Sequence, residues 1–314
     1  MPEGTFRAGP RARTVDLDGP VFCEEWSGPT DRTFVLVHGL GGSHLNWRLV
    51  APGLARLGRV LVPDLPGFGR SPLAGRRSTL GANRLLLSRL IEQEASGEVI
   101  LAGNSMGGGL ALLQAAHEPG SLAGIVPTSA IYPWAWSRGE GRGLGAYPSA
   151  LVTMGFSVYR SPLGPLAVGT RFHRLDPDQA VRMSMRMTMV DPSVVPEDLL
   201  AEHVELLRER RNDPDGPRAF VDATRSLLPY IERPGRTREV LGSVKVPTLV
   251  IHGAADRFVP VAFAEAAVRA NPEWTYRFLP GVGHAPQLEA PDRWLAAVQD
   301  WRSATGDRPA GNAG

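Results

Sequence analysis

The sequence predicts an α/β fold in which helices cover both faces of a mostly parallel, doubly wound sheet and a helical cap is inserted into the chain. Three observations lead to this fold class. Short β-type runs alternate with helical stretches. A glycine-rich turn between a strand and a helix carries a serine at its centre, at residues 103–107. The alternation stops over residues 131–238 and resumes afterwards, and a chain of 314 residues, 43% of them hydrophobic, can bury one such sheet and still supply an insertion.

The β-type runs begin with an expected antiparallel pair at residues 15–17 and 21–26, joined by Asp18-Gly19-Pro20. Further core strands are expected at residues 33–37, 60–63, 99–102, 124–128, 248–251 and 276–279. Helices are expected at residues 45–57, 83–94, 106–117, 261–270 and 291–302. Each helical segment carries an apolar stripe, as a helix packed on a sheet requires.

The interruption of this pattern divides the chain into domains. Residues 14–130 form the first part of the predicted core, and residues 239–303 form the second. Between them, residues 131–238 keep no strand-like alternation and are rich in Pro, Gly, Met and Trp, which predicts a helical cap or lid. The ends of the chain, residues 1–13 and 304–314, have the composition of loose termini.

The segment Gly-Asn-Ser-Met-Gly at 103–107 follows an apolar strand directly and opens an alanine- and leucine-rich helix. This is a Gly-x-Ser-x-Gly turn, in which a strained backbone lifts the serine hydroxyl clear of the sheet and small neighbours let strand and helix approach. Ser105 is therefore the candidate nucleophile. A five-residue match of this kind also arises by chance in a glycine-rich chain, so the rest of the sequence must support it.

Two later residues supply that support, since they occur in the order nucleophile, acid, base. Asp256 follows the buried strand at 248–251, and His284 follows the last strand through Pro-Gly-Val-Gly. Either residue alone is most simply a loop aspartate or a surface histidine. Both lie just past strand ends in the required order with Ser105, which favours a catalytic triad.

The segment His-Gly-Leu-Gly-Gly at 38–42 ends another strand and can turn backbone amides toward an oxyanion. An acyl-transfer site needs two such donors about 3 Å from the developing charge, one from the residue after the nucleophile and one from this loop. We assign the amides of Met106 and Leu40 to these positions. His38 is a rival for the base, but at a strand end its ring is better suited to bracing the loop.

These motifs together resemble the α/β-hydrolase superfamily, over roughly residues 14–303. The resemblance includes Asp-Leu-Pro-Gly-Phe-Gly-Arg-Ser at 64–71, where Asp64 is most simply a carboxylate that anchors the turn. Within the superfamily, Gly-Asn-Ser-Met-Gly-Gly at 103–108 and Asp-Arg-Phe-Val-Pro at 256–260 resemble hydrolases that cleave carbon–carbon bonds in meta-cleavage products. Those enzymes usually have a tryptophan after the catalytic histidine, whereas Ala-Pro-Gln-Leu-Glu at 285–289 is more similar to general esterases.

The resemblance implies a helical cap that covers the active site and sets substrate specificity. Aromatic and methionine side chains near the start of the cap are candidates for an apolar pocket, and His203 stands where carbon–carbon hydrolases carry an active-site arginine. The expected substrate-binding residues are Gly39, Trp134, Trp136, Met154 and His203. Four further methionines, at 183, 185, 187 and 189, split in a helix into two i,i+4 pairs on different faces, so ordinary packing is their simplest role.

The chemistry implied is acyl transfer to water from a small, largely apolar carboxylic ester, with neither cofactor nor metal. A serine at the turn argues against epoxide hydrolases and haloalkane dehalogenases, which need a carboxylate there. Two alternatives stay open: a carbon–carbon bond hydrolase of the meta-cleavage product type, and a ligand-binding protein that retains the triad with little turnover. Thioesters, lactones and amides use the same machinery.

Composition limits the partners and the compartment. A net charge of +2 with dispersed basic residues gives no nucleic-acid surface. Cys23 is the single cysteine, which suits a reducing compartment, and we find neither a signal-like segment nor an apolar run of about 18 residues. We therefore expect a cytoplasmic protein that acts on a small molecule without inserting into a membrane; its oligomeric state stays open.

Overall fold

The computed structural model describes residues 9–132, 161, 164, 166, 175–232 and 234–305. In this part of the chain, eight strands form one sheet in the order β1-β2-β4-β3-β5-β6-β7-β8. The strands are β1 (Arg11–Asp16), β2 (Pro20–Trp26), β3 (Arg32–Val37), β4 (Arg59–Pro63), β5 (Glu98–Asn104), β6 (Gly124–Thr128), β7 (Leu249–Gly253) and β8 (Thr275–Leu279). β1 and β2 pair antiparallel with each other, and β2 pairs antiparallel with β4, whereas every pair from β4 to β8 is parallel. The predicted α/β fold with a mostly parallel sheet is confirmed.

We number the α-helices of the described residues in chain order. They are α1 (Ala51–Leu54), α2 (Leu80–Glu94), α3 (Met106–His117), α4 (Pro177–Thr188), α5 (Glu197–Arg210), α6 (Gly216–Glu232), α7 (Pro234–Ser243), α8 (Val261–Ala270), α9 (Pro286–Glu289) and α10 (Pro291–Thr305). None of the helices described is long and apolar enough to cross a membrane.

Alternate residues of the central strands face two different cores, because successive strand side chains point to opposite sides of a sheet. Val35 and Val37 pack with α2, α3 and α8 on one face. Phe34 and Leu36 pack with α1 and α10 on the other face, where the indole N–H of Trp294 donates to the Thr128 hydroxyl at 2.9 Å. Helices on both faces cover the sheet and leave the carboxyl ends of its strands to carry loops, which is where the site lies.

Two expected elements differ from the observed ones. The helix expected at 45–57 is a 3-10 helix, His44–Trp47, followed by the short α1, because Pro52 lacks an N–H and can stand only in the first turn of a helix. The N-terminal residues 1–13 are expected to be loose, but the chain forms part of the sheet from Arg11 onward. Arg13 holds this strand through ion pairs to Glu25 at 2.9 Å and to Glu94 at 2.6 Å. Such ion pairs cannot be predicted from an alternation of apolar residues.

Helices α4 to α6 lie within the segment expected to form a cap, and α7 begins in that segment and runs past its expected end at residue 238. Buried residues of α4, of α5 and of the segment between them form a third hydrophobic cluster. Three residues of the core domain join this cluster: Leu45, Ala285 and Leu288. Helices α4 and α5 are thereby packed onto both the 3-10 helix that follows residues 38–42 and the segment after His284.

Candidate active site

Ser105 lies at the sharp turn between β5, which ends at Asn104, and α3, which begins at Met106. Its backbone has φ of 55° and ψ of −114°, a region that side-chain-bearing residues rarely adopt. The turn is held by the Ser105 N–H, which donates to the Thr128 carbonyl at 3.0 Å. A Cβ on Gly107 would overlap the Val37 carbonyl, so only glycine permits this close approach of helix and strand.

Asp256 and His284 form a buried pair in the loops that follow β7 and β8. Oδ2 of Asp256 lies 2.8 Å from Nδ1 of His284. Its other oxygen, Oδ1, accepts the backbone N–H groups of Phe258 at 2.8 Å and Val259 at 2.9 Å. Both carboxylate oxygens are therefore held in place, and the imidazole is aligned through its Nδ1 side.

The electrostatics of this pair keep the aspartate ionised. Burial by itself raises the pKa of Asp256, but the attraction of His284 and the hydrogen bonds from His252 and His284 outweigh it and hold that pKa well below its ordinary value. An ionised Asp256 requires a hydrogen on Nδ1 of His284. Nε2 of the neutral ring is then the nitrogen that can accept a proton.

His252, near the end of β7, contacts Asp256 and is not among the site residues that the sequence predicts. Its buried Nε2 lies 3.4 Å from Oδ2 of Asp256 and 2.9 Å from the Val259 carbonyl. Among the described residues, its Nδ1 has no hydrogen-bond partner. The available signal was a lone histidine in an apolar strand four residues before the acid.

Asn104, the residue before Ser105, joins the turn to the loop that carries His284. Its side-chain amide donates to the His284 carbonyl at 3.0 Å and to the Thr128 carbonyl at 3.3 Å. The structure therefore ties His284 to the residue adjacent to Ser105. In the sequence, Asn104 is recognised only as part of the Gly-x-Ser-x-Gly motif. A polar residue at this close-packed turn is the one indication that its side chain makes a specific hydrogen bond.

The loop between β3 and the 3-10 helix lies against Ser105. A Cβ added to Gly39 would stand 3.2 Å from the Ser105 Cβ, and one added to Gly41, whose φ is 74°, would stand 3.2 Å from the Phe220 ring. Leu40 lies between these two glycines. Met106 is the first residue of α3, and such an N–H has no acceptor within its own helix.

His38 is completely buried and braces this loop. Its Nδ1 donates to the Gly39 carbonyl at 2.7 Å, and its Nε2 accepts the Leu65 N–H at 3.0 Å. Burial is the main cause of the lowering of its pKa. With both nitrogens engaged by backbone groups, the neutral ring supports the loop rather than acting as a base.

Asp64 is also buried, and its partners are structural. It accepts the backbone N–H of His44 at 2.6 Å and of Arg70 at 2.7 Å, and it lies 2.8 Å from Nδ1 of His44. Glu24 continues this cluster, 3.6 Å from Nε2 of His44 and 2.6 Å from Arg48. Asp64 thus anchors the turn that follows β4, as its place in the sequence indicated.

The expected substrate-binding residues are only partly described. Trp134, Trp136 and Met154 lie outside the described residues. His203 lies on α5, where burial, with the neighbouring His44 and Arg48, lowers its pKa to about 4. Its buried Nε2 has no hydrogen-bond partner in the described part of the chain.

The four methionines at 183, 185, 187 and 189, of which the first three lie on α4 and the last directly follows it, divide between two faces as expected. Met185 and Met189 are buried in the third cluster, whereas Met183 and Met187 are 36% and 38% exposed. The buried pair packs the cap against the core.

Comparisons with known proteins agree with this architecture. A family model described as "Alpha/beta hydrolase family" matches residues 34–298. A 2-hydroxy-6-oxononadienedioate/2-hydroxy-6-oxononatrienedioate hydrolase from Cupriavidus pinatubonensis is 26% identical, over 91% of this chain and 91% of its own. A pimeloyl-acyl-carrier-protein methyl ester esterase from Aromatoleum aromaticum is 28% identical, over 85% of this chain and 96% of its own. The solved structure of a 2-hydroxy-6-oxo-6-phenylhexa-2,4-dienoate hydrolase from Rhodococcus sp. strain RHA1 has the same fold, with a TM-score of 0.69 and 21% identity over 94% of this chain and 99% of that one.

Proposed function

The chain belongs to the alpha/beta hydrolase family, and we propose that it hydrolyses carboxylic esters through a covalent acyl-enzyme on Ser105. One observation carries the proposal. The strained Ser105 stands at the end of β5, and the adjacent Asn104 holds the loop of His284, whose ring is paired with a buried, ionised Asp256. A strained residue is maintained only where its surroundings enforce it, which favours a functional role for Ser105.

The proposed first step acylates the serine. Nε2 of His284 takes the hydroxyl proton while Oγ of Ser105 bonds to the ester carbonyl carbon, whose oxygen becomes an oxyanion. The N–H groups of Leu40 and Met106 stabilise that charge, and Asp256 stabilises the imidazolium. Collapse of the intermediate expels the alcohol, which receives the proton from His284.

The second step repeats this chemistry with water. His284 removes a proton from water as the water oxygen attacks the acyl-enzyme carbonyl, and the same two amides receive the oxyanion. Collapse releases the carboxylic acid, and the proton returns from His284 to Oγ of Ser105. Electrons and protons balance within ester, water and the three side chains, without a cofactor.

We propose a small and largely apolar substrate, because aromatic and methionine residues are frequent in the sequence of the expected cap. We propose Gly39, Trp134, Trp136, Met154 and His203 as residues that line its site. The cytoplasmic location expected from the sequence likewise stays a prediction.

Carbon–carbon bond hydrolysis is the second candidate function. The relative from Cupriavidus pinatubonensis is named as a 2-hydroxy-6-oxononadienedioate/2-hydroxy-6-oxononatrienedioate hydrolase and aligns over 91% of this chain. The segment Gly-Asn-Ser-Met-Gly-Gly at 103–108 resembles carbon–carbon bond hydrolases. The esterase relative and the segment after His284 favour the ester reaction. The third possibility, a binding protein with an intact triad, would turn over neither substrate class.

An assay of two substrates on one protein separates these functions. A medium-chain nitrophenyl ester and a vinylogous diketone of the meta-cleavage product type are supplied to the native protein and to Ser105→Ala. Turnover of the ester well above that of the diketone, lost in the variant, supports the proposal. Preferential diketone turnover would replace it by the second candidate, and stoichiometric binding without turnover would replace it by the third.

A further inference from the structure

The cap is joined to the catalytic histidine by hydrogen bonds as well as by packing. The backbone N–H of His284 donates to the carbonyl of Thr188 at 2.6 Å. Thr188 is the last residue of α4, where helix carbonyls have no intrahelical partner and need a donor from elsewhere. The candidate base thus supplies a hydrogen bond that terminates a cap helix.

Glu289 makes the second connection. Its Oε2 accepts the backbone N–H of Gly283 at 2.6 Å. Its Oε1 accepts the backbone N–H groups of Val190 at 2.8 Å and Asp191 at 3.0 Å, both in the cap segment that follows α4. One carboxylate therefore links the residue before His284 to the cap, and hydrogen bonds to an ionised acceptor are among the stronger ones.

Residues of the cap also pack around the segment that contains His284. Ala285, directly after it, and Leu288 are buried in the cap cluster together with Met185 and Met189. A Cβ on Gly283 would meet the Thr188 carbonyl at 2.5 Å and the Met189 Cα at 3.0 Å. The cap backbone comes so close to residue 283 that a side chain there has no room.

We infer that the seated cap positions His284, and that Glu289 is the positioning residue that joins the two. This inference rests on the proposed role of His284 as general base. Asn104 holds the His284 carbonyl from the core side, while Thr188 holds its N–H from the cap side. The ring of His284 is held in its position only when the end of α4 is packed against residues 283 and 284. Displacement of the cap would therefore move His284 out of the position that a general base needs.

The test compares Glu289→Gln, Glu289→Asp and the matched control Glu273→Gln in the full chain. Glutamine keeps one acceptor oxygen but presents an NH₂ group to backbone donors, and aspartate keeps the charge but is too short to reach both ends. Glu273 lies exposed in the loop before β8. The readouts are kcat and KM for a nitrophenyl ester and amide hydrogen exchange in peptides covering residues 186–191 and 281–286.

We expect Glu289→Gln to lower kcat at least tenfold with KM changed less than threefold, to accelerate exchange in both peptides, and to leave exchange in β5 unchanged. Glu289→Asp should give a smaller loss, and Glu273→Gln should behave as the native protein. Native kcat in both Glu289 variants overturns the inference. If hydrogen exchange in β5 also rises in Glu289→Gln, the result for Glu289→Asp is used instead. A native kcat in Glu289→Asp overturns the inference. A partial loss of kcat in Glu289→Asp, with unchanged exchange in β5, supports the inference. An inert native protein would instead overturn the proposed ester hydrolysis.

Discussion

Replacement of Asp256 by Asn tests the electrostatic part of the site in depth. The change is nearly isosteric, so Oδ1 can still accept the N–H groups of Phe258 and Val259 at 2.8 and 2.9 Å. The group 2.8 Å from Nδ1 of His284 becomes an NH₂ donor. His284 must then accept at Nδ1 and carry its hydrogen on Nε2, which leaves no nitrogen to take the proton of Ser105.

The expected loss follows from the charge that is removed. Two unit charges about 4 Å apart interact by about 4 kcal/mol at the effective dielectric constant of about 20 that suits protein sites. In the proposed reaction His284 becomes an imidazolium, which would lose this stabilisation in the variant. Since about 1.4 kcal/mol corresponds to a factor of ten in rate, kcat should fall about 10³-fold.

The assay is the steady-state hydrolysis of a nitrophenyl ester by the native protein, Asp256→Asn and the control Asp300→Asn. Asp300 is exposed on α10, so its replacement changes the net charge equally at a distance from the site. We expect KM to stay within about threefold, because the carboxylate acts on the base and not on the bound ester. An Asp256→Asn variant that keeps more than a tenth of the native kcat refutes the reasoning, and another acid would have to be sought.

Two further predictions concern stability. Gly107→Ala should lower the free energy of unfolding by about 1–3 kcal/mol, because the added methyl group would be overpacked against the Val37 carbonyl. In the control Gly120→Ala the added methyl group would have no atom within 4 Å, so the free energy of unfolding should change by less than about 0.5 kcal/mol. Equal unfolding midpoints of the two variants in urea would show that α3 does not pack tightly against β3. The pKa of Asp256 is lower in the folded state than in the unfolded chain, so its contribution to stability is complete above the unfolded value near 3.9 and is lost as the pH falls through the folded value. The unfolding free energy of the native protein minus that of Asp256→Asn should therefore decrease as the pH falls below about 4; a difference that grows over this acid range would contradict the sign of the shift.

The core strands and the position of Ser105 could be predicted from the sequence because both depend on local patterns. A buried parallel strand is a continuous apolar run, and the turn at 103–107 needs glycines where helix and strand nearly touch. The start of β1 could not be found in this way. Arg11 and Arg13 lie on an edge strand, where ion pairs and backbone ladders act instead of apolar alternation.

The relation between cap and base depends on contacts that are distant in sequence. Nothing local to Glu289 indicates that its carboxylate accepts N–H groups of Val190 and Asp191, about a hundred residues earlier. The sequence around His252 predicts only a buried strand. Its role as a contact of Asp256 arises because the fold brings the two side chains together. His203 is predicted from a resemblance to an arginine position, and the charged or polar neighbours that affect its pKa are His44 and Arg48.

The measurement that tests the central claim most directly is the intact mass of the protein after brief exposure to an organophosphonate, with Ser105→Ala treated in parallel. The strained turn, the base and the ionised acid together predict a single adduct on the native protein and none on the variant. An unmodified native protein, or an adduct that persists in Ser105→Ala, would contradict the assignment of Ser105 as the activated nucleophile.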